Sequence, residues 1–169
     1  MTMLGNTLYN GAGQDLTISS GTLDLGGFNL TVADTLTIAS GATLRCNGGT
    51  YTAGTLSNSG TLNCPGSADY EFNWTGTSTD GVWSTAANWQ GGAAPGVTGI
   101  PYFDDAYCGA NCNANMSGAT SIRGVQMAAG YTGTITQGTG NTLAIGSAGW
   151  TQAGGTFTGS DVGITLAGA

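Results

Sequence analysis

Four cysteines, at positions 46, 64, 108 and 112, are the residues of this 169-residue chain best equipped for chemistry. The 17, 43 and 3 residues between successive cysteines lack the Cys-x2-Cys pairs of a structural zinc site, and the chain contains no histidine to complete one. With Arg45 and Arg123 as its whole basic complement, the chain has little to depress a thiol pKa, and a redox-active thiol is not expected. Disulfides are the expected chemistry, and four cysteines allow three pairings. Gly41-Ala42-Thr43-Leu44-Arg45-Cys46 and Ser59-Gly60-Thr61-Leu62-Asn63-Cys64 align residue for residue, 18 apart. Placed on successive coils of a stack, Cys46 and Cys64 would have Cα atoms about 4.8 Å apart, inside the disulfide window. Cys108 and Cys112 would then close a small loop. The plainer alternative for Cys46 and Cys64 is a ladder of reduced, buried thiols.

The carboxylates offer less. Asp104 and Asp105 are the only adjacent acids, and neighbouring side chains on an extended strand point to opposite faces, so the two would not converge as a catalytic pair. They are expected to cap a turn or lie in solvent, with a Ca²⁺ site at Asp104 or Asp105 as the lesser reading. With neither histidine nor lysine, Ser/His/Asp, Cys/His and Ser-Lys nucleophiles are all excluded. No enzyme activity and no cofactor are expected. Trp74, Trp83 and Trp89 remain: they could stack on sugar rings, but their recurrence among Gly and Asn turns favours a small core of their own.

Composition narrows the partners. Charged residues make up 7% of the chain, against roughly 25% in an ordinary domain, and the net charge is −7. Arg45 and Arg123 are the whole basic complement, too little to displace counterions from a nucleic acid or to hold an anionic membrane surface. No apolar run approaches the roughly 20 residues of a membrane span. Good helix formers are scarce while Gly supplies 32 positions, so the elements that carry these residues should be strands and turns.

Those strands are legible as triplets of the form apolar–polar–apolar: Leu16-Thr17-Ile18, Leu23-Asp24-Leu25, Leu30-Thr31-Val32, Leu36-Thr37-Ile38, Leu44-Arg45-Cys46 and Leu62-Asn63-Cys64. Each places two side chains inward and one outward. They fall into three series, Leu16/Leu36/Leu56, Leu23/Leu44/Leu62 and Leu30/Tyr51/Phe72, with steps of 18 to 21 residues. Three short strands per circuit of about 20 residues describe a three-sided parallel β-helix, right-handed by the general preference of parallel crossovers. The rhythm resumes with Ile122, Leu143 and Ile164, and with Ile135 and Phe157. Residues 1–73 and 122–169 are therefore expected to be solenoid coils, and 74–121 a Trp- and Pro-containing insertion, all within one continuous domain. An antiparallel sandwich is the alternative, disfavoured because Asn-Gly and Asp-Gly turns rarely join two triplets.

In that insertion, Trp74-Thr75-Gly76, Asp80-Gly81-Val82-Trp83-Ser84-Thr85-Ala86-Ala87-Asn88-Trp89 and Ala94-Pro95 resemble a W-T-G…N-W…P module of very large bacterial surface proteins and autotransporter-like passengers. The flanking Gly/Thr triplets look like the coils that accompany it. The resemblance implies a secreted or cell-surface solenoid with adhesive, matrix or filament roles, and it carries no catalytic residues. The expected function is a non-enzymatic structural module of an extracellular assembly. Its partners would be copies of itself stacked end to end or neighbouring repeats of a longer chain, with glycan binding at the Trp insertion as the alternative. A polysaccharide-processing β-helix enzyme is the third possibility.

Overall fold

The structure is a computed structural model that describes residues 1–67 and 70–167. It is almost entirely β, and its strands stack in parallel as a β-solenoid. Two compact units are present, Met1–Tyr70 and Glu71–Ala169.

The first unit contains β1 (Thr7–Tyr9), β2 (Leu16–Ile18), β3 (Gly21–Asp24), β4 (Leu30–Ile38), β5 (Ala42–Arg45), β6 (Tyr51–Asn58) and β7 (Thr61–Asn63). Every pairing is parallel, and the registers follow the triplet series except at its last member: Leu16 opposes Leu36 and Leu36 opposes Leu56, Leu23 opposes Leu44 and Leu44 opposes Leu62, and Leu30 opposes Tyr51, whereas Phe72 lies in a turn of the second unit. The apolar members of each triplet face inward because a slip of one residue would turn the whole set to solvent. Leu25, Leu30, Val32, Leu36, Ile38 and Leu44 are buried in one core, each worth about 1.5–3 kcal/mol.

Strands β4 and β6 run through two sides, turning a corner where their register shifts between Val32 and Thr35. Gly54 sits at that corner, where a Cβ would lie 2.3 Å from the Ala33 carbonyl oxygen, so only glycine lets the coils close. Side chains repeat the backbone ladder at the turns. Asn29 N donates to Asn6 Oδ1, and Thr50 donates to Asn29 Oδ1 through its Oγ1 at 2.8 Å.

The second unit contains β8 (Tyr102–Phe103), the single helical turn α1 (Asp105–Cys108), β9 (Ala114–Met116), β10 (Thr120–Met127), β11 (Thr134–Gln137), β12 (Leu143–Gln152), β13 (Thr156–Thr158) and β14 (Ile164–Leu166). One parallel sheet runs β14-β12-β10-β8 and another β13-β11-β9. The stretch from 74 to 121 thus supplies β8 and β9 to the same sheets as the later coils. Ile135 opposes Phe157 and Leu143 opposes Ile164, on the expected spacing. One step differs: Leu143 opposes Thr120, and Ile122 opposes Ile145. A shift of two residues keeps the inward parity, so the apolar pattern alone does not resolve it.

Candidate functional site

Cys46 and Cys64 follow β5 and β7, whose register sets Arg45 opposite Asn63, and they form a disulfide with a Cα–Cα distance of 4.9 Å. Cys108, at the end of α1, and Cys112 form the second. The reduced-ladder alternative is thereby corrected: stacked coils bring two inward thiols to bonding distance. Two disulfides are the mark of a protein that folds outside the reducing cytosol. Among the described residues, no helix is long and apolar enough to cross a membrane.

The acidic pair does not converge. Asp104 caps α1, its Oδ1 accepting from Ala106 N at 3.1 Å. Asp105 turns to Thr132 instead, accepting from Thr132 Oγ1 at 2.6 Å and Thr132 N at 3.0 Å, and these bonds hold its carboxyl below the usual range. Asp105 Oδ, Cys108 Sγ and Cys112 Sγ lie within 4.8 Å of one another. Both sulfurs are spent in the disulfide, so this group offers no thiolate to a metal.

Trp74, Trp83 and Trp89 are buried, with 0%, 4% and 2% exposure. Trp89 meets Trp74 and Trp83 edge to face at 5.0 and 4.9 Å, and Phe103 of β8 packs against all three. Two of the indole nitrogens bond internally: Trp74 Nε1 donates to Asn111 O and Trp89 Nε1 to Trp83 O. The sugar-stacking role weighed for these rings is corrected accordingly, since none presents a free face; burial of three indoles is what anchors the segment. Gly76, with φ +58°, permits the tight entry, because a Cβ there would lie 2.2 Å from Asn111 O.

A polar hub holds this aromatic cluster, and the sequence reading missed it. Asn88 is fully buried; its Nδ2 donates to Asp80 Oδ1 and Val82 O, and its Oδ1 accepts from Ser78 N. Asp80 also accepts from Val82 N and from Thr85 Oγ1, and Ser78 Oγ lies 2.6 Å from both Asp80 Oδ1 and Asn88 Oδ1. The bonds from Ser78, Val82, Thr85 and Asn88 hold the Asp80 carboxyl far below its ordinary pKa. Nearby, the buried Tyr131 hydroxyl donates to Cys112 O, and burial, with the charge of Asp105 adding, pushes its pKa well up. The signal that could have exposed the hub is the Asx-turn spelling Ser78-Thr79-Asp80-Gly81 before an indole.

The outermost strands of each unit are the other chemically distinctive surfaces. Among the described residues, β1 and β2 each pair with β4 alone, β13 with β11 alone and β14 with β12 alone. None of these four strands contains a charged residue. Beside β1 and β2 lies an apolar depression of about 250 Å³ that includes Met3, Tyr9, Leu16, Ile18, Leu23 and Leu30. Beside β13 and β14 lies another of about 320 Å³, lined by Ile145, Trp150, Gln152, Phe157, Ile164 and Leu166. Comparisons with protein-family models, with curated proteins and with solved structures find no match for this chain.

Proposed function

We propose that this chain is a non-enzymatic structural module of a secreted or cell-surface assembly, and that it associates with further copies of itself through its open solenoid edges. The observation that carries the reading is β14: Ile164 and Leu166 are 40% and 67% exposed, and among the described residues the strand pairs with β12 alone. Soluble β proteins normally blunt such edges with charge, proline or a covering segment. Here β14 reads Ile-Thr-Leu and β2 reads Leu-Thr-Ile, the same apolar–Thr–apolar form that pairs within the core as Leu16-Thr17-Ile18 on Leu36-Thr37-Ile38. A strand of this form accepts another in parallel at the coil spacing, with no buried charge to desolvate.

The disulfides and the resemblance to passenger repeats support the extracellular setting. The divergence of Asp104 and Asp105, and the absence of any carboxylate from the two apolar depressions, support a non-catalytic role over polysaccharide processing. The test is electron microscopy of the purified chain over a concentration series, alongside sedimentation velocity. Concentration-dependent rods that lengthen by whole multiples of one chain are expected. Discrete single chains at every concentration would overturn the proposal.

A further inference from the structure

The backbone of the stacked coils follows one directional rule. A residue in a parallel strand sends its amide and its carbonyl to the same neighbour, and successive residues alternate between neighbours. Ile18 O accepts from Ala39 N, Ile38 O from Ser59 N, and Ile145 O from Ala167 N. In each case an inward apolar residue addresses the following coil, and meets the amide one place beyond the residue stacked on it. The outward residues Thr17, Thr37 and Thr165 therefore address the preceding coil.

Carried to the free edges, the same rule decides which groups stand open there. On β14, Thr165 is spent on β12, while Ile164 and Leu166 turn their amides and carbonyls to the open side. On β2, Leu16 and Ile18 are spent on β4, while Thr17 turns to the open side. Ser19 N holds the place that Ala39 N, Ser59 N and Ala167 N hold in the other coils, and among the described residues it donates to no group. One edge thus ends on a free carbonyl where the other begins with a free amide.

The geometry points to a directional joint between copies: β14 of one chain pairs in parallel with β2 of the next, Ile164 on Leu16, Thr165 on Thr17 and Leu166 on Ile18. In this register Leu166 N donates to Thr17 O, and Leu166 O accepts from Ser19 N. That is the exchange Ile18 makes with Thr37 and Ala39 inside the first unit. Apolar side chains stack on apolar ones and threonine on threonine, as they do where β2 meets β4. Strand β1 fits less well, because Thr7-Leu8-Tyr9 would set Thr7 over Ile164 and the exposed Leu8 over Thr165. The inference rests on the reading that the chain associates with its own copies, and adds the partner strand, its register and its polarity. Since the two edges differ, the contact is heterologous, and a copy held at one edge still offers the other.

The test is a mixing experiment read by sedimentation velocity. Thr17→Pro removes the amide that β2 turns to its open side, a change an edge strand tolerates when that N–H faces solvent. Leu166→Lys blocks the β14 edge with charge. Each variant alone is expected to remain a single chain, and an equimolar mixture to form heterodimers, because one free edge of each kind remains. In the natural chain the amides of Thr17 and Ser19 should gain protection from hydrogen exchange on assembly, a readout that needs no variant. Rods of Thr17→Pro that match the natural chain, or dimers of either variant alone, would overturn the joint while leaving self-association through another surface standing. Protection gained on assembly at neither Thr17 nor Ser19 would do the same. A natural chain that stays single at every concentration would overturn both readings.

Discussion

Asn88 and Asp80 are joined by a 2.7 Å hydrogen bond from Nδ2 to Oδ1, and Asn88 is the buried member of the pair. Its amide donates to Asp80 and Val82 and accepts from Ser78 N, with Ser78 Oγ also 2.6 Å from its Oδ1. Replacing it with alanine leaves the Ser78 amide without its partner and the Val82 carbonyl with the Thr85 amide alone. Asn88→Ala is expected to destabilise the second unit by about 1–3 kcal/mol, the cost of stranding buried polar groups. Chemical denaturation followed by tryptophan fluorescence reads this directly, because Trp74, Trp83 and Trp89 surround the site. An unchanged midpoint would show that the hub does not hold the aromatic cluster.

The same hub predicts a pH dependence. The folded carboxyl of Asp80 lies well below its ordinary value, chiefly through the bonds from Ser78, Val82, Thr85 and Asn88. A depressed folded pKa stabilises the native state in full above the unfolded carboxylate value of about 3.9, and the effect fades as pH falls from there through the folded value. The difference in unfolding temperature between the natural chain and Asp80→Asn should therefore be constant above about pH 5 and shrink in stronger acid. A difference that holds unchanged down to pH 2 would show that the charge of Asp80 is not what stabilises the turn.

The two disulfides should differ in worth. Cys46–Cys64 spans 18 residues and Cys108–Cys112 spans 4. Loop-closure entropy assigns about 3 kcal/mol to the first and about 2 to the second. Cys46→Ala with Cys64→Ala is expected to lower the stability of the first unit more than Cys108→Ala with Cys112→Ala lowers that of the second. Paired calorimetric scans would settle the order, and a larger loss from the short loop would show that local geometry outweighs the closure effect.

The first unit was the more legible in sequence for a physical reason. Its coils repeat one pleat, so Leu16, Leu36 and Leu56 announce their stacking by spacing alone, and the alignment of Cys46 with Cys64 follows from the same period. The Trp segment has no such period. It is held by isolated bridges, Asn73 to Tyr102 and Trp74 to Trp89, and by side-chain bonds that span 2 to 10 residues around Asp80 and Asn88. Contacts of that kind leave no periodic trace. The register of β10 was hidden because Thr120 takes an inward position where an apolar residue was expected, and parity cannot distinguish a shift of two.

Close approach at the solenoid corner makes Gly54 sensitive to the smallest side chain. A Cβ there meets Ala33 O at 2.3 Å and Asp34 O at 3.1 Å, both backbone atoms that cannot rotate away. Gly54→Ala is expected to cost about 1–3 kcal/mol through coil displacement. Gly13→Ala makes no close contact and serves as the comparison, although its positive φ adds some strain of its own. Thermal unfolding of the two variants checks the ranking; equal losses would mean that the corner opens without resistance.

Edge association makes the sharpest demand on Leu166. Its side chain is 67% exposed on the outermost strand of the second unit, and among the described residues β14 pairs with β12 alone, through Leu143-Ala144-Ile145. A lysine there adds a charge that a stacked strand would have to desolvate, the device by which natural edge strands resist pairing. Because the position is exposed, the folded chain itself should change by no more than about 0.5 kcal/mol. Leu166→Lys is therefore expected to leave the unfolding temperature in place while abolishing concentration-dependent rods. The complementary change, Thr17→Lys on the outward face of β2, should permit association, since Thr17 stacks over Thr37 outside the core and an ammonium there stays in water. Sedimentation velocity on the three proteins at matched concentration decides. Loss of assembly in Leu166→Lys alone supports pairing through β14, whereas equal assembly of all three would place the contact elsewhere on the molecule.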